Sequence, residues 1–343
     1  MSTIAIIGAG VSGLAAAHTL QDAGYTVTLF EKSRGVGGRA ATRKRDGFIY
    51  DHGAQYIKGG SSLSDEWITK RFATPDLLSI EKPVWTFDAA GHIQEGDAKQ
   101  NAEPRWTYRN GLTTFSKRMA EGLDIHLETR IGRIQQAPDG WLLFDTNSQN
   151  VGLFNQLLIT IPAPQAIALL QTSQLDDHLA QMLSAQLSET HYNPLISVML
   201  GYRHSPQERP YYALVNTDKG HPISWLAWEH EKSPERVPEG TGLLIAQMAP
   251  QYSKEHRDTP QNILFQDVQQ LVSQLLHESL PEPIFTDIQY WKYALPSSKA
   301  NAEQLNAIAS PHGLFFCGDA FVGGRVHLAL EDGIQVAQHI VGK

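Results

Sequence analysis

The feature that most constrains this chain lies in its first 31 residues. Ile4-Ala5-Ile6-Ile7 is a short apolar run rich in β-branched residues, the pattern of a strand buried on both faces of a parallel sheet. It stops at Gly8-Ala9-Gly10-Val11-Ser12-Gly13, and Leu14 to Ala23 then reads as a helix closed by Gly24. Tyr25 to Phe30 is a second strand, with Glu31 at its tip. Strand, glycine turn, helix, strand and acid in this order make a dinucleotide-binding unit. Gly8 permits the tight turn, Gly10 lets main chain approach a pyrophosphate, and Gly13 lets helix and strand pack closely. The helix N-terminus, with Ala9, Val11 and Ser12 in the same turn, presents free N–H groups to the anion. Glu31 lies 21 residues after Gly10, where a carboxylate binds both ribose hydroxyls and repels a 2′-phosphate.

Two further segments bear on which dinucleotide is bound. Lys32-Ser33-Arg34-Gly35-Val36-Gly37-Gly38-Arg39 is a second glycine-rich turn carrying Lys32, Arg34 and Arg39, which a nicotinamide-only domain does not need. Leu314-Phe315-Phe316-Cys317-Gly318-Asp319-Ala320 is an apolar strand ending in Gly318-Asp319, an acid able to accept a ribityl hydroxyl bond. Together the three elements resemble the FAD-binding framework of the glutathione-reductase superfamily, in its amine-oxidase-like branch. The resemblance implies FAD, and Cys317 at the end of a buried strand reads as packing, so the cofactor is expected to be non-covalent.

Asp51-His52-Gly53-Ala54-Gln55-Tyr56 resembles the D-x-G-A segment that passes beside the isoalloxazine ring in this branch. The continuation Gln55-Tyr56 resembles the renalase family in particular. Trp106 to Ile134 resembles a stretch of that family in which the residue at Ile131 touches adenine, and Tyr108 falls in the same stretch. Ile161-Pro162-Ala163-Pro164-Gln165, Ile223 to Ala227 with Trp225, and Trp291 to Ala294 match further family segments. The resemblance covers nearly the whole chain, and it makes Gln55, Tyr56, Trp106, Tyr108, Trp225 and Trp291 candidates for the substrate site.

The chain also departs from the pattern. The C-terminal helix, whose N-terminus is expected to face the flavin through Val326 and Ala329, carries His327 and Leu328 where the family has an acid and a glycine. Arg325 stands where amine oxidases place half of an aromatic cage. A cation there repels a protonated amine and suits an anionic or carbonyl-bearing substrate. The family's lysine-proline-glycine-arginine turn is replaced by Glu231-Lys232-Ser233-Pro234-Glu235-Arg236, which implies a changed substrate preference.

These readings give an α/β fold: a Rossmann-type FAD-binding domain with an interwoven α+β substrate domain containing a mixed or antiparallel sheet. Residues 1–60, 105–165 and 288–343 are expected to form the FAD-binding domain, and 61–104 and 166–287 the substrate domain. Alternation in Ile196 to Tyr202, Ile223 to Trp228 and Leu243 to Met248 predicts strands, and Thr259 to Ser279 a helix. The net charge of −8 argues against a polyanion surface such as nucleic acid as partner. One cysteine among 343 residues and no H-x-x-x-H spacing argue against a metal site or a disulfide framework. The N-terminus shows no targeting pattern and no run is long enough to span a membrane, so a cytoplasmic location is expected.

The reaction implied by the renalase resemblance is oxidation of a misreduced dihydronicotinamide isomer, 2- or 6-dihydro-NAD(P). Hydride passes to flavin N5, and dioxygen as acceptor gives hydrogen peroxide. The alternatives are an amine oxidase or a desaturase of a hydrophobic small molecule, or a flavin-binding regulatory protein without turnover. An NAD(P)H-dependent reductase is disfavoured, because no second G-x-G-x-x-G follows a strand.

Overall fold

The computed structural model describes residues 2–342 and divides into two compact units. Unit one comprises Met1–Ala40, Phe115–Tyr192 and Leu295–Lys343; unit two comprises Ala41–Thr114 and Asn193–Ala294.

Unit one is built on a five-stranded sheet in the order Asp124–His126, Thr26–Phe30, Thr3–Ile7, Gln156–Ile159, Leu314–Phe316, every pair parallel. Ile4, Ala5, Ile6, Leu157, Leu158 and Phe315 are all buried, which explains unbroken apolar runs where alternation is absent. The helix after the first strand spans Val11–Asp22, starting earlier than its apolar face suggests because the glycine turn itself provides its first residues. It packs along the C-terminal helix Val326–Val341. Gly333 makes that contact possible: a Cβ there would lie 2.2 Å from the carbonyl oxygen of Ser12.

The boundary expected at residue 165 is corrected. Helices Ala163–Gln171 and Asp177–Ser188 belong to unit one, the second begun by Asp176, whose side chain accepts from the Leu179 N–H. Their Leu169, Leu183 and Leu187 share one core with Leu305, Phe316, Ile131 and Trp141, so apolar burial ties them to the parallel sheet.

Unit two holds a seven-stranded mixed sheet in the order Phe285–Pro296, Tyr192–Tyr202, Gly242–Met248, Ile223–Trp228, Ala213–Asn216, Val84–Phe87, Ile93–Gln94. The three alternating strands read from sequence are all present, the first extended to Tyr192. The helix expected over 259–279 is Gln261–Leu276: Pro260 precedes it, and His277 ends it with φ +50. Leu264, Val268, Val272 and Leu275 bury its inner face on the sheet.

Residues 41–60, 105–114 and 288–294 lie in unit two, which corrects their expected place in the FAD-binding domain. The cause is apolar burial again. Thr42–Arg45 and Phe48–Asp51 form a hairpin whose Phe48 and Tyr50 pack with Met199, Ile245 and Phe285.

Candidate cofactor and substrate sites

In unit one the glycines divide by what surrounds them. Gly8 takes φ +110 at the strand end, and a Cβ on Gly13 would sit 2.1 Å from the Gly8 carbonyl oxygen, so both serve the fold. Gly10 is different. It has ordinary extended backbone, and a Cβ there would meet no protein atom within 4 Å. Its small size leaves room for something the protein binds. As helix N-cap it offers no side chain, so the first-turn N–H groups of Val11, Ser12 and Gly13 stay uncapped. The second glycine turn lies against the first, with the Gly37 N–H donating to the Ala9 carbonyl at 2.9 Å.

Glu31 is buried beside this turn. Its Oε2 accepts from the Ala9 N–H at 3.0 Å and its Oε1 from the Ser33 N–H at 2.9 Å. A carboxylate offers about four acceptor positions, so room remains for ribose hydroxyls. Lys32 is exposed and donates to the Gln165 side chain at 3.0 Å; Arg34 is exposed. Ile131 opens the strand Ile131–Ala137 with its side chain in the core beside Phe30 and Leu157.

Arg39 and Asp319, expected to meet the cofactor separately, form a forked ion pair at 2.6 and 2.7 Å, and Tyr192 adds a hydroxyl bond to Asp319 at 3.2 Å. The acid thus retains only part of its acceptor capacity for a ribityl hydroxyl. The Gly318 N–H donates to Asp332 Oδ2 at 2.6 Å, which sequence reading missed. Burial, helped by nearby Asp319, pushes the Asp332 carboxyl up to about 6 against the lowering effect of that bond. Burial likewise raises the Cys317 thiol, so no thiolate is poised for covalent attachment. The C-terminal helix opens at exposed Arg325, which supplies no side-chain cap, so the positive end of its dipole is open at Val326. His327, Leu328 and Ala329 are half-buried in its first turns. An uncapped helix start with open space at Gly10, a buried acid with acceptor positions to spare and a second uncapped helix fit FAD. The residues that would hold it are Gly10 to Gly13, Glu31, the 37–39 turn and Gly318-Asp319.

In unit two the segment from Asp51 to Tyr56 has its carbonyls tied down by side chains. Gln55 Nε2 donates to the Asp51 carbonyl at 2.6 Å, Trp291 Nε1 to that of His52 at 2.9 Å, and Gln247 Nε2 to that of Gly53 at 2.6 Å. The N–H groups of His52, Gly53, Ala54 and Gln55 take no partner among the described residues. The result is a short strip of main-chain donors beside three occupied acceptors, the carbonyls of Asp51, His52 and Gly53. The His52 ring stacks on Trp291 at 5.4 Å and 14° and is held neutral, since burial and the charge of Arg43 push it down to about 4.

Beneath the strip lies a group of four charges with fully buried side chains. Asp51 accepts from Arg236 at 2.6 Å, Lys232 at 3.3 Å, the Thr42 hydroxyl at 2.6 Å and the Leu112 N–H at 2.9 Å. Glu229 pairs with Lys232 at 2.8 Å and with Arg236. Arg236 also donates to Thr107 Oγ1 at 2.9 Å and to the Tyr108 carbonyl at 2.7 Å. Burial alone raises the Asp51 carboxyl, but Arg236 and Lys232 outweigh it and hold it well below the usual carboxylate range. The 231–236 turn, expected to alter substrate preference, therefore buries its lysine and second cation against Asp51. Glu229 went unnoticed in the sequence. Its one signal is an acid directly following the apolar strand Ile223–Trp228.

The aromatic candidates separate. Tyr56 faces Trp225 with ring centroids 6.1 Å apart, and Tyr212, a residue the sequence did not flag, meets Trp225 edge-on at 6.0 Å. Trp291 joins the site through His52. Trp106 instead donates to Asp65 at 3.0 Å and packs against Gly59, and the Tyr108 side chain is wholly buried. Both of those are scaffold. Among the described residues no cluster of His, Cys, Asp or Glu is able to hold a metal, and no helix is long and apolar enough to cross a membrane.

A Rossmann-like parallel sheet with an FAD-fitting cradle, together with a mixed-sheet unit, defines an FAD-dependent oxidoreductase. The sequence agrees: residues 87–341 match the family described as flavin containing amine oxidoreductase, and residues 6–68 match the NAD(P)-binding Rossmann-like domain. The chain belongs to the flavin-containing amine oxidoreductase family, which sets aside a flavin-binding regulator without turnover. It is 56% identical over 85 residues to a 4,4'-diapophytoene desaturase of Staphylococcus aureus (strain Newman), a match covering 25% of this chain and 17% of the desaturase. Its fold is similar to that of reduced UDP-galactopyranose mutase, with TM-score 0.78, 14% identity and coverage of 100% and 96% of the two chains. It is also similar to a fatty acid isomerase from P. acnes (TM-score 0.75, 15% identity, 98% of each chain). A putrescine oxidase variant matches at TM-score 0.75 and 14% identity over 100% of both chains.

Proposed function

We propose that this oxidoreductase takes a hydride from the dihydropyridine ring of a nicotinamide isomer, 2- or 6-dihydro-NAD(P), as renalase-like enzymes do. The observation that carries this reading is the charge balance of unit two. Its three buried carboxylates, Asp51, Glu229 and Asp287, are each paired: the first two with Lys232 and Arg236, the third with Arg43 at 2.5 Å. No uncompensated buried anion is left to hold an ammonium group, whereas Tyr56, Trp225 and the His52–Trp291 stack suit a neutral planar ring.

When bound, FAD supplies a two-electron acceptor for that hydride, and dioxygen as final acceptor yields hydrogen peroxide. The chain's own residues orient and shield. Val11 to Gly13 and Glu31 would anchor the dinucleotide end of the cofactor. Tyr56 and Trp225 wall off water from the planar substrate. Exposed Arg325 attracts substrate phosphates. Loss of hydride leaves an aromatic ring, so no protein base is required, and neutral His52 is not asked to act as one.

Anaerobic mixing tests this directly. Flavin bleaching by 2- or 6-dihydro-NAD(P), followed by peroxide on admission of oxygen, is expected; bleaching by amines and none by dihydronicotinamides overturns it. A second reading, desaturation of a long apolar polyene, rests on the 56% identity to the diapophytoene desaturase. Bleaching by a carotenoid precursor in detergent would establish it.

A further inference from the structure

Buried acids normally find a cation or several donors. In unit one Asp319 does so, taking Arg39 at 2.6 and 2.7 Å and the Tyr192 hydroxyl at 3.2 Å. Asp332 does not. It is 6% exposed, and its Oδ2 accepts one bond, from the Gly318 N–H at 2.6 Å. Its Oδ1 takes no partner among the described residues, yet protein atoms do not seal it off.

Its neighbours show where that oxygen lies. The next residue, Gly333, rests on Ser12: a Cβ there would come within 2.2 Å of the Ser12 carbonyl oxygen. Gly318 is also beside Ser12, since a Cβ on it would lie 3.4 Å from Ser12 Oγ. The Asp332 carboxyl, bonded to Gly318 and joined to Gly333, is therefore held next to the start of the helix Val11–Asp22, whose first N–H groups are uncapped. Those N–H groups and the open space at Gly10 are the part of the cradle suited to a pyrophosphate. An ionised carboxylate at this place repels that anion, whereas a protonated one donates to it. The position of the proton is set by the Gly318 bond. Oδ2 accepts, so Oδ1, the oxygen open to a ligand, is the one to carry it.

No neighbouring cation works against protonation. On the elements packed along this helix, Val11–Asp22 carries His18 and Asp22, and the 317–319 turn carries Cys317 and Asp319. The helix itself carries His327, Glu331 and His339. Burial raises the Asp332 carboxyl to about 6, and Asp319 is the one charge that shifts it further, in the same direction.

We propose that Asp332 is a ligand of FAD in its protonated form, donating from Oδ1 to an anionic oxygen of the cofactor's pyrophosphate. The proton comes from solvent, so each FAD bound takes up one proton. A hydrogen bond from a carboxylic acid to an anionic oxygen is of the strong, charge-assisted kind. This role is independent of which substrate the enzyme oxidises.

Calorimetric titration of the apoprotein with FAD, in two buffers of different ionisation enthalpy, counts the protons. The wild type should take up about one proton per FAD near pH 7, and its affinity should fall about tenfold from pH 7 to pH 8. Asp332→Asn keeps an oxygen for the Gly318 N–H and offers an amide N–H in place of the acid proton. It should bind FAD without proton uptake, with an affinity that is flat over this range and about tenfold above the wild type's at pH 8. Asp332→Ser should likewise take up no proton, and serves alone if the asparagine variant does not fold. A wild type that binds FAD with no uptake and no pH dependence would overturn the proposal. So would uptake that persists in the variants, because the proton would then belong to another group.

Discussion

The two units expose main-chain N–H groups in opposite ways. In unit one the donors are free because they begin a helix, and six consecutive residues, Gly8 to Gly13, set their direction. In unit two the donors of residues 52–55 are free because Gln55, Trp291 and Gln247 occupy the carbonyls, and a lysine 177 positions away orients the first of these. The first device is local and needs almost no side chains. The second is assembled from across the sequence, and each tie is separately breakable. Substitutions in unit one should therefore change ligand binding with little effect on the apoprotein, and those in unit two should do the reverse.

The largest effect on stability is expected for Arg236→Leu. It leaves Asp51 and Glu229 with one cation between them and strands Thr107 and the Tyr108 carbonyl. Breaking a buried pair in this way costs about 3–5 kcal/mol, measurable by urea denaturation of the apoprotein. The sign with pH follows from the depressed Asp51 carboxyl. Its contribution is present above the unfolded value of about 4 and is lost as pH falls below it. The variant should therefore show a shallower loss of stability in acid. A loss of stability under about 1 kcal/mol would mean that the four charges are not coupled.

Gly10→Val makes the opposite case. No protein atom lies within 4 Å of a Cβ at that position and the backbone is extended, so apoprotein stability should change by less than about 0.5 kcal/mol. FAD affinity should fall at least about 100-fold, roughly 2.7 kcal/mol, by titration of the apoprotein with FAD. A destabilised apoprotein with normal affinity would reverse the assignment of this glycine to the ligand.

The same contrast decides what was legible in the sequence. The turn at Gly8 to Gly13, Glu31 and Gly318-Asp319 announce themselves because the residues that cooperate are neighbours, or carry fixed spacing on a parallel sheet. The Arg39–Asp319 pair was half legible. Both residues were flagged, but their mutual engagement depends on a contact 280 positions apart. Gln55 and Trp291 were found only through resemblance. Gln247 and Tyr212 carried no signal, and Glu229 only its place directly after an apolar strand, where an acid is ordinarily a solvated residue. Boundaries failed for a related reason. Whether Ala163–Gln171 and Asp177–Ser188 join one sheet or another depends on which apolar face receives Leu169 and Leu187, and periodicity reports that a helix has such a face without naming its partner.

Asp332 brings a smaller, pH-dependent test to unit one. Its carboxyl is raised to about 6 in the folded chain, above the unfolded value of about 4. The folded state thus binds the extra proton, and stability falls as pH rises through this window. Between pH 5 and pH 7 the loss should be about 1.4 kcal/mol. Asp332→Asn keeps an oxygen to accept from the Gly318 N–H and should flatten that slope. An unchanged slope would show that burial of this acid is relieved by water.

Trp291→Phe is the finest probe of the comparison. Phenylalanine keeps a ring to stack on His52 but removes the indole N–H that donates to the His52 carbonyl. One neutral hydrogen bond is worth about 0.5–1.5 kcal/mol, so the apoprotein should lose that much in urea denaturation. Two other side chains still hold the neighbouring carbonyls of Asp51 and Gly53, so the strip should stay formed and FAD affinity should change less than about threefold. A loss well above 1.5 kcal/mol would show that the three ties act as one cooperative unit. Unit two would then match the first unit's turn in unity, although its parts are scattered along the chain.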